Sequence, residues 1–133
     1  LQEKSKASEK DKIFTLIMIY IENEERPWGR FFVIHNENNY KLKRIEVDPG
    51  GRLSYQYHKK RSEAWTIVEG VGKITLDNKV QEYIQGQTVL IPQGVKHRVE
   101  NNEIDKLVFI EVQTGSYFGE DDIVRVEDDY NRT

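Results

Sequence analysis

From Arg30 onward, apolar and polar positions alternate in short runs rich in Val, Ile, Phe and Tyr, and turns containing Gly, Pro, Asn and Asp separate them. A period of two predicts β-strands, and no stretch sustains a helical period. The predicted strands are 30–35, 40–47, 53–57, 64–69, 72–76, 80–84, 88–91, 96–100 and 106–113, with turns at Asn36–Asn39, Asp48–Gly51, Asp77–Asn78 and Pro92–Gly94. Many short strands at this spacing predict an all-β sandwich or barrel. The first dozen residues are polar and read as disordered. The acidic stretch from Glu120 reads as a cap over the barrel rather than a strand within it.

Length and charge narrow the picture. At 133 residues the chain holds one domain, assigned to 21–133 behind an extension of residues 1–20 that is partly disordered or adds a strand. A formal charge of −3, from 20 basic and 23 acidic residues, gives no single-sign field, so neither nucleic acid nor a membrane surface is the expected partner. A small molecule or a second copy of the chain is. The absence of cysteine excludes disulfides and thiolate metal sites and is compatible with a cytoplasmic protein. The longest apolar run, Ile13–Ile21, has nine residues against the ~20 needed to span a bilayer. The mixed charges before it and the lack of a small-residue cleavage site argue against a signal peptide. As an exposed β-branched strand it favours association, and a homodimer is expected. Met18 is read as the natural start, with residues 1–17 as added sequence ahead of it.

Chemistry-bearing residues concentrate in two segments. Gln56 and His58, two apart on one predicted strand, project to the same side. Glu63 follows the charged turn Lys59–Ser62 on the next strand, and His97 follows the Pro92–Gly94 turn on a third. Nitrogen and oxygen donors without sulfur suit one divalent metal, Zn, Mn, Co, Ni or Fe(II), and the spacing does not choose among them.

These residues carry a family resemblance. The spacing Gly50-x5-Gln56-x-His58-x4-Glu63-x6-Gly70 resembles the first cupin motif, with Gln56 where many cupins have histidine, and Gly86-x5-Pro92-x-Gly94-x2-His97-x3-Asn101 matches the second. The resemblance implies a cupin barrel, a double-stranded β-helix of jelly-roll type, and a bound metal. Longer segments are similar to the type II mannose-6-phosphate isomerase domain: Arg26-Pro-Trp-Gly29, Tyr40-Lys-Leu-Lys-Arg-Ile45, Pro49-Gly-Gly-Arg-Leu-Ser54, Pro92-Gln-Gly-Val-Lys-His97 and the run from Glu111 to Arg125. In that family the domain often lies behind a mannose-1-phosphate guanylyltransferase domain. No Gly-rich phosphate loop occurs here, so GTP chemistry is not expected. The resemblance implies interconversion of mannose 6-phosphate and fructose 6-phosphate, supplying GDP-mannose and polysaccharide precursors. Two departures stand near the proposed ligands. Lys60 replaces a family histidine, and Ala64 replaces the histidine of a Glu-His pair; both bear on substrate contacts and on activity.

Aldose–ketose isomerisation needs a base, an electrophile and cations for the phosphate. Glu111, in phase with Leu107 and Phe109, and Lys43, in phase with Ile45 and Val47, are the candidate bases. Arg61 and Arg125 match arginines functionally implicated in the family, and a guanidinium suits a phosphate or an enediolate. Lys41, Lys43 and Arg44 read either as phosphate-binding or as a charged edge strand. Trp28 and Trp65 read as core or pocket wall, and His35 as a surface residue. Two rivals remain: another metal-cupin enzyme such as a dioxygenase, which the Gln56 amide argues against, and a non-catalytic sugar-phosphate-binding cupin.

Overall fold

The computed structural model describes residues 8–10 and 21–132. Most of the Ile13–Ile21 run, and with it the added-strand and start-site readings, lies outside the described residues. From Ile21 onward every regular element is a strand: β1 (Glu22–Arg26), β2 (Gly29–Asn36), β3 (Tyr40–Val47), β4 (Tyr55–Tyr57), β5 (Arg61–Glu69), β6 (Val71–Leu76), β7 (Lys79–Ile84), β8 (Thr88–Ile91), β9 (His97–Glu100), β10 (Leu107–Gly115) and β11 (Val124–Glu127). They form two antiparallel sheets, ordered β1-β2-β3-β10-β5-β8 and β11-β4-β9-β6-β7. No helix among the described residues is long and apolar enough to cross a membrane.

Local chemistry accounts for the turns. Asp77 and Asn78 both adopt positive φ, 43° and 71°, and close the β6–β7 hairpin in two residues, a backbone shape that Asn and Asp tolerate. At the β5–β6 corner Gly70 has φ 83°, and a Cβ there would lie 2.6 Å from the Lys106 carbonyl oxygen, so only glycine fits. Asn101, the last residue of the second motif, is fully buried and ties the end of β3 to the loop between β9 and β10: its amide donates to the Val47 and Asp105 carbonyls, and its oxygen accepts from the Glu103 N–H. Gly70 and Asn101, motif residues outside the proposed ligand set, thus shape the frame around it.

Inward positions of β3, β10 and β5 line up in rows across the sheet. Ile45, Phe109 and Ile67 form one; Lys43, Glu111 and Trp65 the next; Lys41, Gln113 and Glu63 the third. On the facing sheet Arg125, Gln56 and His97 form a fourth. The first row continues into a core with Phe31, Val47, Ile74, Val99 and Leu107. One end of the barrel is therefore apolar, and the other presents charged and amide side chains to the interior.

Three expectations change. The polar run Glu22–Arg26 is a strand, an outer one whose partner is β2. Val124–Glu127 does not cap the barrel but joins it, pairing with β4. Strand β3 is not an edge, since β2 and β10 flank it, and Lys41 and Lys43 are buried.

Candidate metal centre

Glu63 is the hub of the polar end. Its Oε2 accepts from Arg61 Nε at 2.9 Å, and its Oε1 accepts from Trp65 Nε1 at 3.1 Å. The imidazoles approach from the other sheet and the adjoining turn: His58 Nε2 lies 3.5 Å from Glu63 Oε2, and His97 Nε2 lies 3.9 Å from Glu63 Oε1. One donor atom from each of His58, Glu63 and His97 falls within 4.8 Å of the others, and all three residues are buried.

The hydrogen bonds behind the rings fix which nitrogen faces inward. His58 Nδ1 donates to the Asp122 carbonyl at 2.6 Å, and His97 Nδ1 donates to the Val95 carbonyl at 2.9 Å. A carbonyl accepts only, so each Nδ1 carries the proton and each Nε2 offers a lone pair, the usual arrangement of a ligating histidine. Burial lowers the His97 imidazole to about 4 against the pull of Val95, and burial with the nearby Arg61 lowers His58 as well. Both rings are neutral at pH 7, as metal ligation requires.

Gln56 sits opposite His97 in the β4–β9 pairing. Its Oε1 and His97 Nε2 are buried without a hydrogen-bond partner, which a folded protein rarely tolerates. A cation among the two lone pairs, the Glu63 carboxylate and the amide oxygen would satisfy both. The residues present fit a divalent metal.

A cavity opens from this cluster. Its walls include Trp28, Trp65 and Phe109, and its charged groups are Arg61, Lys43, Glu111, Glu120, Arg26, Arg125 and Arg132. All four residues nominated for catalysis, Arg61, Arg125, Glu111 and Lys43, line it. Glu111 accepts from Trp65 Nε1 at 3.0 Å and from Gln113 Nε2 at 2.7 Å. Burial and the charge of neighbouring Glu63 push its carboxyl up to about 7. Arg61 is buried, which alone disfavours its charge, but Glu63, Glu111 and Glu120 outweigh that and raise its pKa. Burial and the adjacent Arg132 lower that of Arg125.

Both departures from the family pattern lie outside this cavity. Lys60 is exposed and places its ammonium over the Tyr117 ring, 5.1 Å from the centroid. Ala64 has the opposite phase to Glu63 and faces Val112 and Leu90 across the sheet. His35 is exposed and meets the Tyr40 hydroxyl.

Sequence reasoning missed Gln113, Glu120 and Asp122. Gln113 shares the phase of Glu111 and was legible. The acidic pair was not: Asp122 accepts from the Lys59 and Lys60 N–H groups while its carbonyl orients His58, and no periodicity marks that role.

Comparison with known proteins agrees with this geometry. Residues 18–128 match the family model described as mannose-6-phosphate isomerase C-terminal. The chain is 46% identical over 108 residues to the xanthan biosynthesis protein XanB of Xanthomonas campestris pv. campestris strain B100, covering 81% of this chain and 23% of that protein. It is 47% identical over 107 residues to a mannose-1-phosphate guanylyltransferase of Salmonella montevideo, covering 80% and 23%. The chain thus spans about a quarter of the length of these relatives. The Cnp3 cupin domain of Schizosaccharomyces pombe superposes with a TM-score of 0.63 at 13% identity, over 65% of this chain and 64% of that one, which establishes the fold alone. The chain belongs to the mannose-6-phosphate isomerase C-terminal family and folds as a cupin barrel.

Proposed function

We propose that this domain is a metal-dependent mannose-6-phosphate isomerase, interconverting mannose 6-phosphate and fructose 6-phosphate for the synthesis of mannose-containing polysaccharide. The observation that carries the reading is the juxtaposition of two orphaned ligand atoms, on Gln56 and His97, with a buried carboxylate at the foot of a cavity rich in cations. Gln56, His58, Glu63 and His97 would hold the ion. A bound divalent metal supplies Lewis acidity toward the sugar's hydroxyl and carbonyl oxygens.

The chain's own groups supply the rest. Glu111, with its carboxyl near 7, exchanges between proton-holding and proton-free forms at working pH, which suits a group that takes a proton from C2 and returns it at C1. Lys43 is the weaker candidate base, because its ammonium is engaged by Glu120. Arg61 sits beside Glu63 with a second guanidinium nitrogen 3.4 Å from His58 Nε2 and can stabilise negative charge developing on the enediolate. Arg125 and Arg26 at the cavity wall attract the anionic substrate. That Lys60 and Ala64 point away from the cavity favours the enzyme over a non-catalytic binding protein.

The test is a coupled assay for fructose 6-phosphate formed from mannose 6-phosphate, on protein stripped with chelator and reloaded separately with Zn, Mn, Co, Ni or Fe(II). Turnover lost on chelation and restored by at least one metal supports the reading. Folded, metal-loaded protein that binds the sugar phosphate without turning it over would establish the binding protein instead.

A further inference from the structure

Lys41 and Lys43 occupy consecutive inward positions of β3 and are only 6% and 3% exposed. Buried ammonium groups need acceptors, and nearly all of theirs come from one short segment between β10 and β11. Glu120 Oε1 lies 3.3 Å from Lys41 Nζ and also accepts from Lys43 Nζ. The Phe118 carbonyl takes a second bond from Lys41 at 3.4 Å, and the Gly119 carbonyl takes one from Arg61 Nη1 at 3.3 Å. A single carboxylate oxygen thus serves two lysines, with a guanidinium alongside.

At that seat Glu120 is the one carboxylate hydrogen-bonded to the two lysines, while Arg61 at its border is bonded to Glu63 and Glu111 stands beside Lys43 in the same row. A phosphomonoester dianion brings twice the charge of a carboxylate and three terminal oxygens, enough to accept from both lysines and from Arg61 at once. The seat is also placed for it. Lys41 stands in the row of Glu63, two strands away across β10 and so about 10 Å at the usual strand spacing, with Lys43 one row along. An open-chain hexose 6-phosphate with its C1 end at the metal cluster can reach that far. The Glu120 side chain is itself 39% exposed, so it has solvent to withdraw into.

We propose that Lys41 and Lys43 form the subsite for the phosphate group of the substrate, and that Glu120 is a resident carboxylate that fills this subsite in the free protein and yields it when phosphate arrives. The proposal rests on the sugar-phosphate reading above and adds to it a specific place for the phosphate. It makes Glu120 a competitor of the substrate. It also assigns Lys43 to binding rather than to proton transfer.

The experiment is calorimetric titration of the whole chain with inorganic phosphate, mannose 6-phosphate and mannose. Glu120→Gln removes the competing charge and is expected to tighten inorganic phosphate and mannose 6-phosphate about tenfold, with mannose unchanged. Adding Lys41→Gln or Lys43→Gln to that variant should abolish the gain, which separates this seat from phosphate bound at the metal. Glu120→Asp, which keeps the charge on a shorter arm, should shift phosphate affinity the same way by a smaller factor, and serves if Glu120→Gln does not fold. Unchanged phosphate affinity in the folded Glu120 variants, or a gain that survives loss of both lysines, would overturn the proposal. Phosphate binding needs no turnover, so the two readings fail separately. A chain that gains phosphate affinity but never isomerises would keep the subsite and lose the isomerase.

Discussion

The two ends of the barrel interior are built by the same strands yet have opposite chemistry. On β3, β10 and β5, Ile45, Phe109 and Ile67 form one row, and one step along each strand stand Lys43, Glu111 and Trp65. The apolar row gains stability from burial alone. The polar rows lose hydration and recover it only through partners, Glu111 from Trp65 and Gln113, and Lys43 from Glu120. Strand periodicity settles which face a side chain takes, whereas the use of that face changes within two residues. The apolar end is a foundation, and the polar end holds groups whose ionisation the fold has moved.

If that contrast holds, substitutions at the two ends should separate activity from stability. The largest effect is expected from His97→Ala, which removes a ligand atom and should abolish both stoichiometric metal retention and isomerisation; metal analysis after gel filtration with the coupled assay checks it. Glu111→Gln should lower isomerisation by about 10²–10⁴-fold while leaving the melting temperature unchanged or higher, because it removes a buried charge that Glu63 disfavours. A matching loss of stability would mean that Glu111 is merely structural. At the other end Phe109→Ala, which empties a site 1% exposed, should cost about 3–5 kcal/mol of stability by denaturant unfolding. The metal affinity of the remaining folded fraction should persist.

How far this was legible in the sequence depended on whether a signal was periodic. The inward phase of Lys43 and Glu111 followed from their apolar neighbours two residues away, and the spacing of Gln56, His58, Glu63 and His97 identified residues that the structure brings together. Lys41 shares the phase of Lys43, but the charge of both suggested an edge strand, because a buried lysine makes sense only once Glu120 is seen. β1 escaped because Glu22–Arg26 is polar throughout, and β11 because the brief alternation of Val124–Glu127 lies within an acidic stretch. Glu120 and Asp122 act through an irregular segment whose contacts are set by the strands around it.

A smaller effect concerns acid. Burial favours the neutral form of Glu120, but Lys43, Arg61 and Lys41 outweigh it and hold the carboxyl at about 2, and Arg132 holds Asp128 at about 2. Both values are depressed below the unfolded ones of 4.5 and 3.8, so their contribution is present above those values and is lost as pH falls toward about 2. Amide-exchange protection factors of residues 116–132 should therefore fall between about pH 4 and 2, ahead of those of strands β3, β10 and β5.

The central claim is that one metal, held at the polar end, is required for sugar-phosphate isomerisation. Chelated protein titrated with whichever metal restores activity, with bound metal and turnover read on the same samples, tests it most directly. The account predicts that both rise together and saturate at one metal per chain. Turnover that is full before any metal binds, or absent when one equivalent is bound to folded protein, would contradict it.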